Sequence, residues 1–76
     1  MTPFRELRYW CPTHGANVLR LSVQGADGRE RHCILDMDVP SQDRRRHRVL
    51  ALQQLEREVN TAAPGEVQID LEAEIG

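Results

Sequence analysis

Apolar and polar residues alternate with a period of two in several stretches of this chain, and with a helical period in one. In residues 18–24, VLRLSVQ, Leu19, Leu21 and Val23 share one face, while Val18, Arg20, Ser22 and Gln24 share the other. In residues 29–39, RERHCILDMDV, Cys33, Leu35, Met37 and Val39 oppose His32, Ile34, Asp36 and Asp38. The intervening GADG has turn chemistry, since its glycines reach positive φ without a Cβ clash. The pattern predicts a hairpin over 18–24 and 29–39.

A different period follows. Pro40 blocks continuation of the strand and Ser41 suits an N-cap. Val49, Leu52, Leu55, Glu56 and Val59 then recur at spacings of three and four, with Leu50 widening the apolar stripe, which predicts an amphipathic helix over 42–60. Pro64 and Gly65 end it. Beyond them, Val67, Ile69, Leu71, Ala73 and Ile75 alternate without a break against Glu66, Gln68, Asp70, Glu72 and Glu74. A helix would smear that pattern around its circumference, so the expectation for 66–75 is a half-buried strand with an acidic outer face. Residues 4–10 fit either a short helix capped by Thr2 or a strand running into the Pro12 turn; strand is slightly preferred.

The predicted architecture is one α+β domain over residues 1–76, a small antiparallel sheet covered on its apolar face by one helix. A 76-residue chain buries about 60% of its unfolded surface. Its core supplies roughly 3–5 kcal/mol unless a metal, a disulfide or a partner subunit adds to it. No apolar run is long enough for a membrane span and the first residues lack a signal-peptide core, so a cytoplasmic location is expected, with both cysteines reduced.

The formal net charge of -2 hides an asymmetry. Residues 1–48 carry nine Arg against six acids, whereas residues 49–76 carry one Arg against six, and the chain has no Lys. GC-rich codon usage accounts for this; so does a use for planar guanidinium forks.

The stretch CPTHG, residues 11–15, sets two potential ligands two residues apart on a bend made by Pro12 and Gly15. Cys11-x2-His14, a hairpin, and His32-Cys33-x2-Asp36 together resemble the zinc ribbon of bacterial primases over about 26 residues. That resemblance implies a structural zinc held by Cys11, His14, His32, Cys33 and Asp36, and a nucleic-acid-binding role. Asp36 stands where the ribbon has its last Cys, and in a strand Cys33 and Asp36 point to opposite faces. The plainer account needs no metal: Pro12 and Gly15 make a turn, Cys33 is a small core hydrophobe, and His14 and His32 are solvated.

DRRRHR, residues 43–48, places four guanidinium groups in the first turns of the predicted helix, where cations oppose the macrodipole. Neutralisation by Asp36, Asp38 and Asp43 is one explanation. A recognition surface of Arg44, Arg45, His47 and Arg48 for an acidic partner is another. Asp70, Glu72 and Glu74 offer a second charged surface, and the two surfaces together make a symmetric homodimer a self-complementary arrangement. Catalytic groups are sparse: no Gly-rich phosphate loop and no Ser-His-Asp order occur. The expected function is a small non-enzymatic bacterial or phage accessory module acting through contacts with another protein, without a cofactor. The alternative is the zinc-ribbon-like nucleic-acid-binding domain, with zinc on Cys11, His14 and Cys33 and phosphate on Arg44–Arg48.

Overall fold

Strand alternation and helical period meet in a two-layer fold. The structure is a computed structural model that describes residues 1–65 and 67–71. Strands β1 (Phe4–Cys11), β2 (Ala16–Gln24) and β3 (Glu30–Asp36) form an antiparallel meander in the order β1-β2-β3, and helix α1 (Ser41–Ala62) packs on one face of it. The first element is thus a strand, as the stretch 4–10 favoured.

The register follows the hydrophobic alternation. Leu21 of β2 stands opposite Glu6 of β1 and Cys33 of β3; Leu19 stands opposite Arg8 and Leu35. Leu19, Leu21 and Val23 therefore turn toward α1, where they meet Leu52, Leu55 and Val59, with Phe4, Cys33, Leu35 and Met37 packed around them. Each of the fully buried Leu and Val side chains contributes about 1.5–3 kcal/mol by leaving water. No helix covers the opposite face of the sheet among the described residues: Leu7 is 57% exposed there and Tyr9 and Ile34 are half-buried, while Val18 of the central strand is buried.

Four expectations change. β3 ends at Asp36 rather than Val39, because the Asp36 carboxylate accepts the Asp38 N–H at 2.8 Å and bends the chain. The helix begins at Ser41 itself, with Pro40 in the capping position and no side-chain cap; the Pro40 carbonyl instead accepts the Asp43 N–H at 2.9 Å. Leu50 does not widen the buried stripe but is 51% exposed.

The fourth concerns the expected strand 66–75. Among its described residues, 67–71, the alternation holds, with Val67 and Ile69 buried and Gln68 and Asp70 exposed, yet the segment forms no strand ladder. Glu66 and 72–75 lie outside the described residues. Side chains supply what a neighbouring strand would have supplied. The Asn60 amide accepts the Val67 N–H at 3.2 Å and donates to the Val67 carbonyl at 3.0 Å. The Ile69 N–H donates to Glu56 at 2.8 Å, and Thr2 holds Gln68 through its own N–H and its hydroxyl. Gly65 lets this segment close on the hairpin turn: a Cβ there would stand 2.6 Å from that of Ala26.

Candidate functional site

Two sets of chemistry-bearing residues lie outside the core. One is the solvent side of α1. Gln42, Arg45, Arg46, Val49, Leu50 and Gln53 recur at spacings of three and four, so they form one stripe, and they line a shallow groove. Arg45, Arg46 and Leu50 are exposed and Val49 is half-buried. The arrangement puts two guanidinium groups beside an unusually exposed leucine. Arg44 and His47 are also exposed on the same half of the helix, and Arg44 Nε reaches the Val39 carbonyl at 3.4 Å.

Arg48 departs from the expected surface. Positions 48, 52, 55 and 59 fall on one helical face, and that face is buried, so Arg48 is carried inward with it. Its side chain is only 18% exposed. Nε donates to Glu6 Oε1 at 3.1 Å, and the guanidinium carbon stands 5.6 Å from the centre of the Phe4 ring. Nη2 also stands 3.1 Å from Oε1, an ion-pair distance without hydrogen-bond geometry. Arg48 is therefore a structural group beneath the helix. Of the expected acidic surface, Asp70 is exposed, while Glu72 and Glu74 lie outside the described residues.

The second set is the β1–β2 turn. Gly15 takes φ of +61°, which lets its N–H close on the Cys11 carbonyl at 2.8 Å. The tight turn folds His14 back, so that its Nδ1 lies 3.0 Å from Cys11 Sγ. Cys11 is 8% exposed, yet it does not belong to the core cluster. The His14 side chain, then the His14 backbone N–H, pull the thiol below its ordinary pKa.

The other residues of the ribbon pattern are elsewhere. Cys11 is opposite Ala16, whereas Cys33 is opposite Leu21 and His32 opposite Ser22. Five residues along β2, about 17 Å, offset the two cysteines in the strand direction, and the odd spacing puts them on opposite faces of the sheet. Cys33 faces the core, where burial and then the Glu58 carboxylate push its thiol pKa up. His32 and Asp36 lie on the far face, with His32 Nδ1 3.4 Å from Arg20 Nη2. Among the described residues, no three His, Cys, Asp or Glu side chains converge on one point where a metal would sit. The hairpin thus unites Cys11 with His14 and parts them from His32, Cys33 and Asp36.

Sequence reasoning left Arg46 out of the protein-partner surface and assigned Leu50 to the buried stripe. The signal was present in the 42-45-46-49-50-53 spacing, but a second stripe beside the buried one was read as a single wide face. No helix of the described residues is long and apolar enough to cross a membrane. Neither the protein-family models nor the curated proteins nor the solved structures contain a match to this chain.

Proposed function

We propose that this protein is a small non-catalytic binding module that engages another protein through the solvent side of α1. The observation that carries the reading is Leu50, 51% exposed in the groove that Arg45 and Arg46 also line. A partner segment with an apolar residue for Leu50 and carboxylates for the guanidinium groups fits that stripe, in the manner of a helix laid in a groove. Arg is suited to such a site because its planar fork pairs bidentately with a carboxylate.

Nucleic acid is the weaker fit. The groove has an apolar centre rather than a continuous basic track, and the net charge is -2. The separation of the two halves of the ribbon pattern also counts against that alternative.

Site-specific photo-crosslinking in the source cell tests the proposal. A crosslinker placed at position 50 is expected to give a discrete protein adduct that is lost in Arg45→Glu/Arg46→Glu. The same group at position 7, on the far face of the sheet, serves as control. Adducts from position 7 but not 50, or nucleic-acid adducts from position 50, would sink the reading.

A further inference from the structure

We propose that Cys11 and His14 form a nucleophile–base pair that makes Cys11 this chain's site of mixed-disulfide formation with low-molecular-weight disulfides. The inference stands apart from the helix-face reading and involves different residues.

The geometry is that of an activated thiol. His14 Nδ1 lies 3.0 Å from Cys11 Sγ, within reach to take the thiol proton and hold it as imidazolium beside the thiolate. The backbone N–H groups of His14 and Thr13 also favour the thiolate. Such donors stabilise the anion through fixed dipoles that need no reorganisation. Among the described residues, His14 is the one titratable group that acts on the sulfur, and the β2 residue opposite Cys11 is uncharged Ala16. Pro12, Thr13, His14 and Gly15 are all exposed, so the turn lies at the rim of the molecule; Cys11 itself is 8% exposed, and a disulfide reaches its sulfur past these turn residues.

The step balances without a further redox partner. The Cys11 thiolate attacks one sulfur of the disulfide, the S–S bond breaks, and a new bond forms between Sγ and that sulfur. Cys11 is oxidised to the disulfide level. The other sulfur leaves as a thiolate and takes up the proton that His14 held.

Cys33 supplies an internal control. Its Sγ lies 4.0 Å from the Ala51 carbonyl against the helix, and burial holds its thiol above the ordinary pKa. The two thiols of this chain are therefore pushed in opposite directions. Lowering a thiol pKa by one unit raises its thiolate fraction about tenfold at neutral pH, but intrinsic nucleophilicity falls, so the net gain is about threefold per unit.

The test follows the reaction of Ellman's reagent, itself a small disulfide, with Cys33→Ser and with Cys11→Ser across pH 5–9. The Cys33→Ser protein, which retains Cys11, is expected to react at least about threefold faster at neutral pH, with its rate profile displaced to lower pH. In the Cys33→Ser background, His14→Ala is expected to move the Cys11 profile back toward higher pH. His14→Asn keeps an acceptor at the same place without a titratable proton and is expected to do the same, with circular dichroism confirming that both variants fold. Glutathione disulfide should then leave its adduct on Cys11 by peptide mass mapping. Equal or slower reaction of Cys11, or a Cys11 profile unchanged by either His14 variant, overturns the proposal.

Discussion

Arg48 Nε donates to Glu6 Oε1 at 3.1 Å, joining the second turn of α1 to the middle of β1 beneath the helix. The two side chains are 18% and 10% exposed, so both charges are largely withdrawn from water. Such a pair gives modest net stability when intact, because desolvation offsets most of the attraction. Its larger consequence is positional: a guanidinium that needs its carboxylate fixes where the helix begins its crossing of the sheet.

Removing one partner should therefore hurt more than removing both. Arg48→Met is expected to cost about 2–3 kcal/mol, below the range for fully buried pairs because some solvent remains. Glu6→Leu/Arg48→Met should recover most of that loss. Urea denaturation of the two single variants and the double variant measures the coupling. Additive losses would mean that the two groups do not act as a pair.

The two leucines at 50 and 52 separate the faces of the helix. Leu52 is fully buried and Leu50 half-exposed, although both are leucines two positions apart. Leu52→Ala should cost about 2–5 kcal/mol, most of what a domain of this size has to lose. Leu50→Ala should stay within about 0.5 kcal/mol. Thermal melts of the pair decide it, and similar losses at both positions would place the core on the wrong side of α1.

Much of this fold was legible because period-two alternation leaves little freedom. Cys33, Leu35 and Met37 could be assigned to the core side from spacing alone, and they pack there. Arg48 was misread because residue type outweighed position. Its register with Leu52, Leu55 and Val59 placed it inside, but a cation was assumed to face solvent, and its partner Glu6 lies 42 residues earlier. The segment 67–71 was misread for a related reason. Alternation fixes which side chains are buried, whereas strand status depends on what the backbone groups bond to, and here Asn60 and Glu56 fill that role. Cys11 and His14 were joined only in the ribbon reading, and the plainer reading left His14 in solvent; the turn brings them together because Gly15 closes it on the Cys11 carbonyl. What the ribbon pattern required of Cys33 depended on strand continuity, and β3 runs straight through that position.

Asn60 carries a prediction of its own. Its amide both accepts from and donates to the backbone of Val67, at 3.2 and 3.0 Å. Asn60→Ala leaves two part-buried backbone groups without those bonds, at a cost of about 1–3 kcal/mol. Hydrogen exchange at the Val67 amide should accelerate sharply, with the sheet amides of β2 slowed or hastened only by the global change. Unaltered protection at Val67 would show that burial of Val67 and Ile69, not Asn60, holds the segment.

The hairpin turn should titrate. The Asp27 carboxylate accepts from Arg31 Nη1 at 3.2 Å and Nη2 at 3.0 Å, and from the Arg29 N–H at 3.0 Å. The Arg31 guanidinium, then the Arg29 N–H, lower the carboxyl pKa from 3.8 to about 2. A carboxyl depressed in the folded state adds stability above its unfolded value, and that stability disappears as pH falls through the folded value. The contribution should therefore be fully present above roughly pH 5, fade between 3.8 and about 2, and be gone below. Asp27 is solvent-exposed, so high salt should weaken the ion-pair share of the effect. Asp27→Asn retains an acceptor for the backbone and removes the charge, so it isolates that share. The difference in melting temperature between parent and Asp27→Asn should shrink from pH 6 to pH 2 and shrink again in 1 M salt. A gap that is constant over that range would place the effect of the substitution in turn geometry rather than in the Asp27–Arg31 pair.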